Sequence, residues 1–87
     1  MFAFPDDASW NEAEQSVEFG VELGEYRGRV FVPLRVFHTR IGFRPTPEQC
    51  VEWYYMNRTL FERAAETRIL TRALDADANI RLTGRDL

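Results

Sequence analysis

Eighty-seven residues, 45% of them apolar and 14% aromatic, are enough to build one hydrophobic core and too apolar for a disordered chain. A single cysteine, Cys50, excludes an internal disulfide or a multi-thiolate zinc site and points to a reducing compartment. All eleven basic residues are arginine, which excludes lysine Schiff-base, P-loop and lysine general-base chemistry.

The net charge of −3 hides an uneven distribution. Residues 1–28 hold seven acids and one arginine, residues 29–47 hold four arginines and no acid, and residues 48–87 hold seven acids and six arginines. The opening apolar residues Met1–Phe4 meet Pro5-Asp6-Asp7 at once, so no secretory leader is expected. No run approaches the length of a membrane span. The composition predicts a soluble, cytoplasmic protein of one domain, residues 1–87.

Phe2 to Phe4 read as a short strand ended by Pro5-Asp6-Asp7, followed by Trp10 and a polar connector from Asn11 to Gln15. Val17, Phe19, Val21 and Leu23 then alternate with Glu18, Gly20 and Glu22, the pattern of a half-buried strand. Gly24 to Gly28 reads as a turn, and Arg29 to Leu34 as the second strand of an antiparallel hairpin. The hairpin sets an acidic strand beside an arginine-bearing one. Cross-strand pairs therefore account for the opposed charges, at roughly 0.2–1 kcal/mol each. Pro33 marks an edge position or the strand's exit.

Leu34 to Ile41 reads as a short helix with Leu34, Phe37 and Ile41 on one face, ended by Gly42, and Phe43-Arg44-Pro45 links it onward. Thr46 to Ala73 reads as one long helix. Thr46 is its N-cap, Pro47 its first position, and Gln49 completes a capping box. Such a helix spans about 40 Å, whereas strands of six to eight residues reach only about 20–27 Å. Part of its apolar surface is thus expected to need another partner. Cys50, Trp53, Asn57, Leu60, Phe61, Ala64 and Arg68 follow one stripe. Trp53, Tyr54 and Tyr55 together cover about 200° of the circumference, so at least one ring is expected to leave the core. That ring is either a tyrosine lying on the surface or part of a self-association face. Asp75 to Asn79 is a turn, and Ile80-Arg81-Leu82 alternates as a last strand. The sum is an α+β fold: an antiparallel sheet of three or four strands, the N-terminal hairpin plus the C-terminal strand, packed on one long helix.

Catalytic chemistry finds little support. His38 is the only histidine and Cys50 the only thiol, and an isolated pair of this kind is expected in any short chain. Cys50 falls in a helix's first turn, where the dipole lowers a thiol pKa, but its stripe position predicts a small core residue. Asp75, Asp77, Asn79 and Asp86 match positions of a calcium loop, yet Ile80 stands where that loop needs glycine. An Asx-rich turn is the expected structure there. Helix arginines Arg58, Arg63, Arg68 and Arg72 scatter around the axis, and Arg58 is spaced to pair with Glu62. Only Arg29, Arg35, Arg40 and Arg44 form a basic cluster for nucleic-acid phosphates. The acidic isoelectric point of about 5.1 opposes that use.

The chain resembles a bacterial family of small domains of unknown function, number fourteen eighty-eight. The resemblance is carried by the Phe4 to Trp10 opening, Val17-Glu18-Phe19, Gly28 before Val30-Phe31-Val32, and Asn57-Arg58. Phe61-Glu62-Arg63-Ala64-Ala65-Glu66 and Ile80-Arg81-Leu82 with Asp86 continue it. Phe43-Arg44-Pro45 departs from the family pattern in being more proline-rich. The resemblance implies an α+β fold in a cytoplasmic bacterial protein and brings no activity, cofactor or catalytic residue. Asn57 and Arg58 look like its helix signature.

Taken together, these features predict a protein–protein interaction or regulatory accessory domain that self-associates or binds another protein through Trp53, Tyr54 and Tyr55. No catalytic residue, cofactor or metal is expected. A nucleic-acid module on the arginine patch is the alternative. A small ligand-binding domain with polar candidates Asn57, Arg58, His38 and Asp86 is a third possibility.

Overall fold

The alternating segment between Ser16 and Pro33 forms the centre of the sheet in a computed structural model that describes residues 1–87. Strands β3 (Ser16–Leu23) and β4 (Tyr26–Pro33) pair antiparallel, with Val17 opposite Val32, Phe19 opposite Val30 and Val21 opposite Gly28. These residues make the inner face. Glu18, Gly20 and Glu22 lie opposite Phe31, Arg29 and Arg27 on the outer face. The reversal is tighter than the expected Gly24–Gly28 turn: Gly24 adopts φ 59°, and the strand resumes at Tyr26.

Two short strands share the outer edge of β3. They are β1 (Phe2–Ala3) and β2 (Ser9–Asn11), both antiparallel to it. The second corrects the expected polar connector: its inward residue, Trp10, sits opposite Val17. Between them the chain leaves the ladder, and Asp7 Oδ1 accepts from the Gly20 amide at 3.0 Å. A carboxylate thus satisfies an edge donor where no strand runs.

Helix α1 (Leu34–Ile41) forms as expected and ends at Gly42, whose φ of 95° and N–H to the His38 carbonyl (2.9 Å) close it. The single helix over 46–73 is not observed. The capping box is present: the Gln49 amide donates to Thr46 Oγ1 at 3.2 Å, and the Thr46 amide to Gln49 Oε1 at 2.9 Å. But α2 (Pro47–Met56) stops at Asn57, and α3 (Arg58–Leu70) starts after it. Asn57 has φ −125° and ψ 30°, and its Nδ2 donates back to the Trp53 carbonyl at 3.0 Å. A side chain that bonds the preceding turn competes with helix continuation. The length mismatch expected from the sequence does not arise, because the helix is divided. An unbroken rod of about 40 Å would exceed the 37 Å longest dimension of the molecule. Divided, the two helices bury Tyr54 and Phe61 in one cluster.

Strand β5 (Ile80–Arg81) pairs with β4 in parallel, Val30 opposite Ile80, which corrects the expected all-antiparallel sheet. The three helices lie between β4 and β5 in sequence and carry the chain back over the sheet, the connection that parallel neighbours require. The order β1-β3-β4-β5, with β2 on β3, gives a mixed sheet of five strands. The helices cover its inner face around an aromatic cluster. Ring centroids lie 4.7 Å apart for Phe19 and Tyr54, 5.4 Å for Tyr54 and Phe61, and 5.7 Å for Phe37 and Phe61. No helix is long and apolar enough to cross a membrane.

Candidate interaction surface

The three adjacent rings of α2 have three different environments. Trp53 is half-buried, edge-on to Phe37 (6.1 Å) and Phe61 (5.8 Å). Tyr54 is 1% exposed, so it serves the core and offers no contact surface. Its Oη has no hydrogen-bond partner, and burial pushes its pKa well above the usual tyrosine value. Tyr55 is 39% exposed, and its Oη accepts from the Ala8 amide at 3.2 Å. Of the three, Tyr55 is the ring that leaves the core.

Tyr55 belongs to a stripe at helical spacing with Glu48, Val51, Glu52 and Met56, the last 76% exposed. Beside this stripe the edge strand β2 and α2 enclose a shallow hollow of about 450 Å³. Ala8, Trp10, Pro47 and Val51 line it, and Glu48 and Glu52 flank it. A hydrogen bond from Nε1 to Glu12 (2.8 Å) fixes the Trp10 indole. A neighbouring hollow shares Trp10 and Pro47 and adds Arg44. Arg44 follows Phe43, which is 54% exposed on the turn that Gly42 opens. The Arg44 cation thus stands next to an apolar hollow flanked by carboxylates, and the exposed Phe43 ring precedes it in the chain. Trp10 and Phe43 add two further aromatic side chains at this surface to the Trp53–Tyr55 set named from the sequence. Their signals were faint: a lone indole in a polar stretch, and a lone ring after a helix-ending glycine.

The polar candidates divide between structural ties and free groups. Asn57 closes α2 as described. Arg58 binds Glu62 at 2.7 Å and Asp6 at 3.1 Å and donates to the carbonyls of Phe4 (2.9 Å) and Pro5 (3.3 Å). It therefore ties α3 to the loop between β1 and β2. Asp86 accepts from the Thr83 amide at 2.7 Å in a capping box and lies 3.6 Å from Arg68. His38 is exposed on α1, whereas Cys50 is buried in the core, where burial pushes its thiol up. The Asp75–Asn79 segment is the expected Asx turn, with Asp75 Oδ1 accepting from the amides of Asp77 and Asn79, both at 2.9 Å.

The four clustered arginines do not act together. Arg29 lies on the outer sheet face, 2.6 Å from both Asp7 and Glu18. It passes over Gly20, where an added Cβ would sit 2.7 Å from its Nη1. Burial pushes the Asp7 and Glu18 carboxyls up. The Arg29 and Gly20 bonds to Asp7, the Asn11 and Arg29 bonds to Glu18, and the Arg29 charge outweigh it and hold both below their ordinary values. Arg35, Arg40 and Arg44 have no carboxylate within 4.0 Å: the ion pairs of the molecule use only Arg29, Arg58, Arg68 and Arg81.

Comparison with known proteins identifies relatives of the whole domain. No curated protein matches the chain. A crystal structure of a protein of unknown function from the DUF1488 family of Shewanella loihica PV-4 superposes with a TM-score of 0.85 at 17% identity. The match covers 93% of this chain and 90% of that one, and at this identity it establishes a shared fold. The family profile described as protein of unknown function (DUF1488) matches residues 3–82. With nearly its full length matched, this chain belongs to the DUF1488 family.

Proposed function

We propose that this domain is a protein-interaction module that associates with a second copy of itself through the α2 face. The carrying observation is the hollow of Ala8, Trp10, Pro47 and Val51 between Glu48 and Glu52, beside the Phe43–Arg44 tip. The tip pairs an apolar ring with a positive charge, and the hollow pairs an apolar floor with negative charges. In a two-fold pair the tip of each copy enters the hollow of the other, Phe43 on Trp10 and Val51, Arg44 against Glu52. Tyr55 and Met56 extend the contact. Aromatic and methionine side chains are the types enriched at such surfaces. The patch is small and its rim charged, which fits reversible association rather than an obligate dimer.

Sedimentation velocity over a range of protein concentrations tests the proposal. The expected result is a mass that rises toward twice the chain mass in the wild type and stays at one chain in Phe43→Ala, with both equally folded by circular dichroism. Identical behaviour of wild type and variant contradicts it.

A further inference from the structure

We infer that the outward side of α1 is a binding site for a small phosphate-bearing ligand, held by Arg35, Thr39 and Arg40. These residues, with Val36 and Gly84, line a hollow of about 440 Å³ that contains no carboxylate. That volume lies within the range of small-molecule sites, so the hollow admits more than a bare ion. Two guanidinium groups and a hydroxyl supply the forked and single donors that phosphate oxygens accept. Neither Arg35 nor Arg40 makes a side-chain hydrogen bond or an ion pair within the protein, unlike the four arginines that tie the fold together. Their donors are free for a ligand at no cost to the fold.

Charge sets the size of the anion. Residues 33–47 carry three arginines and no acid, a net of +3, so the remainder of the chain carries −6. A compact phosphomonoester meets only the basic side. A longer polyanion must extend over the rest of the chain, whose net charge of −6 opposes it. The site is independent of the self-association face, because neither Phe43 nor Arg44 lines it.

The test is a nuclear magnetic resonance titration of the full chain with inorganic phosphate, phenyl phosphate and a short oligothymidylate, each against chloride at matched ionic strength. The expected result is a saturable shift of the Arg35 and Arg40 side-chain Nε–H and Thr39 amide signals with phosphate and phenyl phosphate. Arg35→Gln or Arg40→Gln weakens the affinity about tenfold, the size of one charge-assisted hydrogen bond. Arg63→Gln, which removes an exposed unpaired arginine on α3, leaves the affinity unchanged. Absence of saturation in the wild type at millimolar phosphate overturns the site. So does an equal effect of Arg63→Gln, which marks diffuse charge attraction. Tighter binding of the oligonucleotide, with an affinity falling steeply with salt, overturns the small ligand in favour of a nucleic-acid strand.

Discussion

Two corners of this domain use arginine in opposite ways. Where the loop between β1 and β2 crosses the sheet edge, Arg29 and Arg58 each hold two carboxylates, and Arg58 also reaches two backbone carbonyls. Along α1 and the tip that follows it, Arg35, Arg40 and Arg44 have no acidic partner, and Phe43 stands exposed beside them. One corner uses its charges to fix a loop that has left the ladder. The other leaves its guanidinium groups without an acidic partner, so of the two sets only the first contributes ion pairs to the fold.

Substitution breaks the comparison most directly. Arg58→Ala removes four contacts at once and leaves Glu62 unpaired, so it is expected to lower stability by about 2–3 kcal/mol in urea titration. Arg35→Ala is expected to stay within about 0.5 kcal/mol of wild type, as for surface sites without contacts. Comparable losses in both would erase the distinction.

Tyr54, packed beside the Arg58–Glu62 pair, gives a smaller effect of opposite sign. Its hydroxyl is buried without a partner, so Tyr54→Phe should raise stability by about 1 kcal/mol. A loss instead would reveal a bond to that oxygen. Thr46→Ala, at the start of α2, should cost about 1 kcal/mol through the lost cap.

Acid titration gives the smallest and most selective effect. The folded-state pKa values of Asp7 and Glu18 lie below the ordinary 3.8 and 4.5. Their stabilising contribution is therefore present above those ordinary values and is lost as pH falls through the folded-state ones. Both groups are partly exposed, so the loss is modest. Thermal melts should show a shallower acid dependence in Asp7→Asn than in wild type. A variant curve parallel to wild type would mean that Arg29 does not select for the charged carboxylate.

What the sequence made legible was local. Thr46, Pro47 and Gln49 specify a cap within four adjacent positions, and Gly42 specifies a helix end because it tolerates φ 95°. The β3–β4 alternation and the Asp75 turn are likewise written in short windows. The break at Asn57 was not legible, because no glycine or proline marks it. The residue that stops α2 is Asn57, whose side chain bonds the Trp53 carbonyl, and asparagine inside a helical pattern is too common to predict a break. The parallel pairing of β5 follows from the route of all three helices and has no local signature. The same holds for the interaction surface. Trp10 and Val51 lie far apart in the chain and meet only after β2 joins the sheet edge. The break removes helix length as a reason to expect a partner. That expectation rests instead on the hollow and the tip.

Mixing two charge-reversed variants tests that expectation most directly. Arg44→Glu and Glu52→Arg, each alone, should sediment as single chains, because like charges then meet at both contacts of the two-fold pair. Combined in equal amounts they should regain the doubled mass. The introduced glutamate of one chain then meets the introduced arginine of the other, and the native contact is kept at the second site. Association of either variant alone at wild-type strength, or a mixture that stays at the mass of one chain, would contradict a tip-in-hollow pair.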